Sequence, residues 1–572
     1  MAILQPIIDI ATICYEHGVR HVVVSPGSRS AALTLAFSRH GGFEMHVCMD
    51  ERPAGFIALG IAQQINTPVV LICTSGSAAY NFAPAIAEAF FQQIPLLVLT
   101  ADRPKEWQHQ YDGQTIYQSE IYGKHVKRSF ELSPDYQHKD VPWAINRIVN
   151  EALNIASARP FGPVHINVPI REPFYPTETE SFSASDQVRI VRRSQTEAVL
   201  STEDWNTLMD EWEDSRRILI AVGQGRLKEK LIQAMTRISE EWHIPVVADR
   251  ISNLPGRIFI ANHDLFLGAG NTADLKPDLL ITVGLSFISK ELKQFFRGNV
   301  ALNHWHVGID NFLADPAQSM TRQIPVMADY FFENIFEKID YQLFVQNSDP
   351  ENDSNYAARW HRSNTRMEAS KQSYLGKLTT LTDLTSLEIV FRCIKREFQL
   401  HLANSMSVRY VNVLTVPEHI TEVFANRGTS GIDGCVSTAI GAARVNKVPT
   451  LLIVGDVAFL YDRNGLLTKT LPPTLKILVL NNAGGNIFRM IDGPGRLPEM
   501  EELFETRHSF SARRTCEDSN IAYFSASDLE TLENVAESFL ESGEISLLEI
   551  FTDPLENERV WKDLKQFANS RD

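Results

Sequence analysis

Two short pairs, Gly455-Asp456 and Asn481-Asn482, each close an apolar run, Pro449 to Val454 before the first and Lys476 to Leu480 before the second. Asp456 and Asn482 stand 26 positions apart, about one strand–helix–strand unit. In a parallel sheet both side chains then sit at the carboxyl edge, where open α/β sheets bind ligands. A carboxylate and an amide oxygen are hard donors of the kind Mg²⁺ takes, usually together with phosphate oxygens. The spacing therefore describes a seat for a metal-bound diphosphate. GD and NN also close ordinary turns, so the two pairs alone leave both readings open.

Other residues bear on the same question. Glu51 follows an apolar strand and opens the helical run Pro53 to Gln64. A carboxylate there stands at a sheet edge, and an acid at a helix start also gains about 0.3–1 kcal/mol from the macrodipole. Arg29 follows Ser25-Pro26-Gly27-Ser28, Arg409 follows Asn404-Ser405, and Arg427 lies within Asn426-Arg427-Gly428-Thr429-Ser430-Gly431. Guanidinium forks bind carboxylates through two parallel hydrogen bonds. One such arginine is ordinarily a surface ion pair; three beside small polar turn residues describe a site for an anionic substrate. Gly484-Gly485-Asn486-Ile487-Phe488 follows Asn482 directly. Its glycines allow a ligand close to the backbone, and Ile487 and Phe488 supply either a pocket wall or core.

The elements that must position these residues follow from the apolar pattern. In the first third, His21 to Val24, Met45 to Met49, Val69 to Cys73 and Leu96 to Leu99 read as strands, separated by helix-compatible stretches such as Pro53 to Gln64 and Ala78 to Phe91. Strands alternating with helices imply a mostly parallel sheet. The texture changes near Pro173, and Tyr175 to Asp186 reads as a linker. A middle block has strands at Ile218 to Val222, Pro245 to Ala248 and Leu279 to Val283. Its Gly223-Gln224-Gly225 turn has Lys228 where a dinucleotide fingerprint has its third glycine, so it reads as a tight turn in a Rossmann-like unit. A second polar stretch, Gln346 to Tyr356, marks another boundary. The last third has strands at Val411 to Val413, Leu451 to Val454, Ile477 to Leu480 and Ser546 to Ile550. The fold class is α/β, with three consecutive domains of mostly parallel sheet: residues 1–180, 195–345 and 375–572.

Composition narrows the function. The chain has 572 residues, 44% hydrophobic and 22% charged, with a net charge of −16. That balance argues against nucleic acid as a partner, which Lys/Arg clusters serve. The six cysteines are scattered and form no CxxC pair, as expected of free thiols in a reducing compartment. No signal-peptide pattern and no apolar run of about 18–20 residues is seen. A cytoplasmic protein without membrane insertion is expected. HExxH, P-loop and GxSxG patterns are absent.

Together these residues resemble thiamine-diphosphate enzymes, whose motif is GD followed by NN after about this interval. More closely, Ser25-Pro26-Gly27-Ser28-Arg29-Ser30, Asp50-Glu51-Arg52, Thr74-Ser75-Gly76-Ser77-Ala78, Thr100-Ala101-Asp102-Arg103-Pro104, Asn426 to Gly434 and Asn482 to Phe488 are similar to the MenD family. These are the 2-succinyl-5-enolpyruvyl-6-hydroxy-3-cyclohexene-1-carboxylate synthases of menaquinone biosynthesis. In the middle block only Ser289-Lys290 echoes that family.

The resemblance implies a pyrimidine-binding first domain, a Rossmann-like centre and a diphosphate-binding third domain. It implies a transferase that decarboxylates 2-oxoglutarate and adds the resulting carbanion 1,4 to isochorismate. The alternative is another thiamine-diphosphate-dependent 2-oxoacid decarboxylase or carboligase. Glu51 would be catalytic, hydrogen-bonding the cofactor's pyrimidine. Asp456, Asn482 and the Gly484 carbonyl would hold Mg²⁺ or Mn²⁺, and Ile432 would prop the bent cofactor. Ser405, Arg409 and Arg427 would meet the 2-oxoglutarate part. Ser28, Arg29, Arg103, Gln114 and Lys290 would meet isochorismate, with Ile487 and Phe488 lining the pocket. The family's sites lie between subunits, so a homodimer or homotetramer is implied.

Overall fold

In the computed structural model, residues 4–172, 174–175, 183–268, 272–310, 312–339, 350–491 and 493–569 are described. Pro173 and parts of both polar stretches, residues 176–182 and 346–349, lie outside them, as do the domain limits placed at 180 and 345.

His21–Val24 (β1), Glu44–Val47 (β2), Val69–Cys73 (β3), Leu96–Asp102 (β4), Arg128–Glu131 (β5) and Val164–Pro169 (β6) form one sheet, in the order β2-β1-β3-β4-β6-β5. Ile218–Val222 (β7), Val246–Ala248 (β8), Leu279–Val283 (β9), Asn303–Val307 (β10) and Arg322–Ile324 (β11) form a second, ordered β11-β10-β9-β7-β8. Phe398–Leu402 (β12), Ile420–Ala425 (β13), Thr450–Gly455 (β14), Leu475–Asn481 (β15), Ala522–Ala526 (β16) and Ser546–Phe551 (β17) form the third, ordered β13-β12-β14-β15-β17-β16. Every pairing within these sheets is parallel. The α/β class with parallel sheets is therefore as expected.

The central strands β3, β4, β7, β9 and β15 are buried along their whole length. Their largely apolar sequences suit strands covered by helices on both faces. One expected strand is wrong: Val411–Val413 ends the helix Met406–Val413. Its two valines favour a strand locally, but the segment packs into the core as a helix with Val408, Tyr410 and Val411 buried. Tertiary burial overrides a β-propensity of this size. The strand that takes its place in the sheet is β12, where Gln399 and His401 interrupt the apolar run.

Numbered from its own first strand, the third sheet repeats the order of the first. In each, the order reverses beside the first strand, which opens a crevice at the carboxyl edge. The helices Glu51–Ile65 and Cys435–Val445 join the two outer units. A Cβ on Gly60 would lie 2.1 Å from the Thr438 carbonyl oxygen, and one on Gly441 2.2 Å from that of Ile57. Only glycine permits so close a crossing.

No helix among the described residues is long and apolar enough to cross a membrane. All six cysteines are free thiols, five of them buried.

Candidate functional site

A cavity of about 360 Å³ lies at the carboxyl edge of the third sheet. Asp456 enters it directly after β14, and Asn482 and Gly484 directly after β15. Parallel register places these strand ends side by side, with Gly455 opposite Leu480. The Asp456 carboxylate is buried; Oδ1 accepts from the Val457 N–H (2.7 Å) and Oδ2 from that of Gly484 (3.0 Å). His508 Nε2 stands 3.3 Å from Oδ2.

Asn482 is oriented by a residue that sequence reasoning missed. Its Nδ2 donates to Asp383 Oδ2 (3.0 Å), while its Oδ1 is buried without a partner. Asp383 is fixed in turn by Thr552, whose hydroxyl donates to its Oδ1 (2.6 Å), and by Asn557, which accepts from its backbone N–H. Burial pushes the Asp383 carboxyl up to about 6. Because the amide nitrogen is committed to Asp383, the amide oxygen faces the opposite way. A buried acceptor left unpaired beside a carboxylate calls for an absent partner. Two oxygen donors so arranged fit Mg²⁺ or Mn²⁺.

The remaining third-domain candidates line the same cavity: Ser405 and Arg409 after β12, Arg427 after β13, then Ile432, Ile487 and Phe488. Three lining or neighbouring loop residues other than glycine hold positive φ: Ser405 (+69°), Ser430 (+62°) and Ala483 (+62°). Such backbone concentrates where surrounding structure holds a site in shape. Arg409 Nη1 donates to the Ser405 carbonyl, and Arg427 Nη1 to Asn404 Oδ1 (2.9 Å), with Arg427 Nε buried and unpartnered. Among the described residues, neither arginine pairs with a carboxylate. Burial lowers the pKa of each, and the Arg427 charge lowers that of Arg409 further. Two crowded guanidinium groups of this kind suit a carboxylate ligand.

Lys290 is exposed, in the first turn of the helix Lys290–Gly298. One turn on, Lys293 is half-buried and donates to the Phe287 carbonyl (3.1 Å). Burial lowers its pKa, followed by the charge of Arg427. Neither lysine lines the cavity that holds Arg409 and Arg427.

The first-domain candidates gather at the carboxyl edge of the first sheet. Glu51 opens its helix with Asp50 as the cap, which accepts from the Arg52 N–H (3.0 Å). Asn464 binds Asp50 and Arg52 binds the Tyr461 carbonyl, pinning this turn to the third domain. Glu51 itself turns toward Asn81, whose Nδ2 lies 3.3 Å from Oε2. Arg29 is buried, donates to the Ile170 carbonyl (2.8 Å) and lies over the Phe174 ring at 4.4 Å. Arg103 pairs with Asp112 (2.8 Å) and donates to the Gly113 carbonyl. Gln114 has φ of +55° and packs on Gly76, and the Ser28 hydroxyl is 3.2 Å from that of Tyr175. None of these first-domain residues lines the third-domain cavity. One chain thus carries two separate groups of candidate residues, at two sheet edges.

A larger cavity, about 500 Å³, lies beside the carboxyl edge of the second sheet and is lined by Gln224, Gly225 and Lys228. It contains none of the candidate residues. A Cβ on Gly223 would lie 2.3 Å from the Leu285 carbonyl oxygen, so that glycine serves a tight turn against the next strand end.

Two outer sheets of one order, one bearing the GD and NN edge and the other an acid at its helix start, have the build of a thiamine-diphosphate-dependent enzyme. In keeping with this, the family model described as thiamine pyrophosphate enzyme, N-terminal TPP binding domain, matches residues 9–122. Relatives called 2-succinyl-5-enolpyruvyl-6-hydroxy-3-cyclohexene-1-carboxylate synthase match nearly end to end. That of Cytophaga hutchinsonii is 43% identical over 569 residues, covering 98% of this chain and 99% of the relative. Those of Flavobacterium johnsoniae and Porphyromonas gingivalis are 34% and 36% identical, covering 98% and 95% of this chain and 98% and 94% of the relatives. The chain belongs to this synthase family.

Proposed function

We propose that the chain decarboxylates 2-oxoglutarate and joins the resulting four-carbon unit to isochorismate by 1,4-addition, as a step of menaquinone biosynthesis. One observation carries this reading: Arg409 and Arg427, half-buried and without carboxylate partners among the described residues, share a cavity with Asp456 and the unpaired Asn482 oxygen. The arginines fit the distal carboxylate of a dicarboxylic 2-oxo acid. The oxygens fit a divalent cation and, through it, a diphosphate. Bound thiamine diphosphate supplies the electron sink for breaking and making the carbon–carbon bonds.

The roles of the chain's residues follow. Asp456, Asn482 and the Gly484 carbonyl hold Mg²⁺ or Mn²⁺. Ile432 would be the apolar prop against the bound cofactor. Glu51 would hold the proton exchanged with the cofactor's pyrimidine. Ser405, Arg409 and Arg427 orient 2-oxoglutarate. Ser28, Arg29, Arg103 and Gln114 form a second anion site for isochorismate, with Ile487 and Phe488 as wall and Lys290 of the middle block beside it. Residues 1–180, 195–345 and 375–572 act as the pyrimidine-binding, central and diphosphate-binding domains. The separation of the two groups supports a homo-oligomer in which Glu51 of one copy faces Asp456 of another. Six free cysteines support a cytoplasmic location.

Purified protein given 2-oxoglutarate, isochorismate, thiamine diphosphate and Mg²⁺ is expected to form the succinylated cyclohexene carboxylate, identified by mass spectrometry. Release of succinic semialdehyde alone, with isochorismate unconsumed, would make it a simple decarboxylase.

The Asp383 contact gives a separate prediction. Asp383→Ala frees the Asn482 amide to rotate and is expected to weaken metal affinity about 10–100-fold, the usual cost of losing a ligand's supporting hydrogen bond. Calorimetric titration with Mn²⁺ at fixed thiamine diphosphate measures it; an unchanged affinity rules out the orienting role.

A further inference from the structure

Glu88 lies in the first domain, on the helix Ala83–Phe91, and is only 1% exposed. Among the described residues it has no ion-pair partner. Its carboxylate instead accepts from four neutral donors. Oε1 takes the Gly428 N–H (2.7 Å) and the Gln92 amide; Oε2 takes the N–H (2.7 Å) and hydroxyl of Thr429. Three of those donors belong to the third-domain loop that carries Arg427, some 340 residues away in sequence.

The loop is gripped from the middle block as well. The Gln224 amide donates to the Ala425 carbonyl (3.1 Å) and to Gln92 Oε1 (3.0 Å). The Ser286 hydroxyl, 3.3 Å from Gln224 Oε1, donates to the Arg427 carbonyl (3.2 Å). Gln63, on the helix Glu51–Ile65, donates to Gln92 Oε1 (3.1 Å). The backbone is thus tied at residues 425, 427, 428 and 429, on both sides of the Arg427 side chain. Displacing the loop would strip donors from the Glu88 carboxylate, which is buried away from water, so these contacts favour one geometry.

We propose that Glu88 is a positioning residue for Arg427, so that the first domain sets the enzyme's preference for dicarboxylic 2-oxo acids. This inference rests on the assignment of Arg427 to the distal carboxylate of 2-oxoglutarate. The chemistry requires a carboxylate. Each of its oxygens receives two donors, whereas a glutamine offers one acceptor oxygen and turns an NH₂ group against the backbone N–H of Gly428 or Thr429. Arg427 has a long side chain, so a small shift of its backbone moves the guanidinium fork off a bidentate geometry.

The test compares decarboxylation of 2-oxoglutarate and 2-oxopentanoate, which has the same chain length without the distal carboxylate. Glu88→Gln is expected to raise KM for 2-oxoglutarate about tenfold, with KM for isochorismate and affinity for thiamine diphosphate within about twofold and 2-oxopentanoate turnover unchanged. Glu88→Asp is expected to recover part of the loss. If Glu88→Gln does not fold, Gln224→Ala loosens the same loop from outside the first domain and is expected to raise the same KM by a smaller factor. Equal losses with both acids, or an unchanged 2-oxoglutarate KM, would overturn the proposal. Arg427→Ala separates the two levels. If it raises the 2-oxoglutarate KM while Glu88→Gln and Gln224→Ala do not, the clamp is wrong. If it leaves that KM unchanged, the assignment of Arg427 fails and the positioning role falls with it.

Discussion

Glu51→Gln is expected to lower kcat about 10²–10⁴-fold while thiamine diphosphate still binds within a few-fold of the native affinity, the span ordinarily lost with a positioned acid–base group. The substitution keeps the side chain's length and its contact with Asn81, and removes only the ability to exchange a proton. Steady-state kinetics and calorimetric cofactor binding give the two readouts. Substantial activity with bound cofactor would remove Glu51 from proton transfer. The same variant also probes the separation of the two groups of candidate residues. Asp456→Ala is expected to be inactive through loss of the metal seat. Co-expressed with Glu51→Gln, it should restore about a quarter of native activity, because random pairing gives mixed dimers with one intact site each. Two inactive variants whose defects lay in one and the same site would restore nothing. No recovery in purified mixed oligomers would place Glu51 and Asp456 of one chain together.

Arg427→Ala is expected to lower kcat/KM for 2-oxoglutarate about 100–1000-fold, in line with truncation of one partner of a buried, hydrogen-bonded charge pair. The effect should fall on the dicarboxylic acid, with KM for isochorismate changed far less. Arg427→Lys is expected to recover only part of the loss, since an ammonium group cannot reproduce the planar fork. The Arg427 Nε is buried and unpartnered, a donor available to a carboxylate oxygen. Kinetics with each substrate varied in turn decide the matter; equal losses toward both would assign Arg427 a shared structural role.

Much of the site is legible in the sequence because parallel α/β architecture turns linear order into spatial order. An apolar run followed by Gly-Asp or Asn-Asn states both the strand and the edge on which its last side chain emerges, and β14 and β15 obey that rule. The same logic finds Ser405, Arg427 and Glu51. It fails where a side chain's role depends on a distant partner. Asp383 follows a threonine cap and looks like an ordinary acid at a helix start; its hydrogen bond to Asn482 crosses 99 positions. Glu88 sits in an alanine-rich helix and gives no local sign of the loop it holds. Lys293 lies one turn beyond the lysine that the motif singled out, and helical phase decides that Lys293 is half-buried against the Phe287 carbonyl while Lys290 is exposed.

By itself, the sequence determined the α/β class, the strand-end residues and the chemical character of the candidate site: oxygens of the kind a metal takes and guanidinium groups of the kind that bind carboxylates. These are local properties, set by apolar periodicity and by the residues that end each strand. The tertiary structure decided which candidates share one cavity, which lie at a separate sheet edge, and which buried carboxylates hold them in place. Those outcomes depend on how helices and loops from three domains close on one another, and a hydrogen bond across hundreds of residues leaves no periodic trace in the chain.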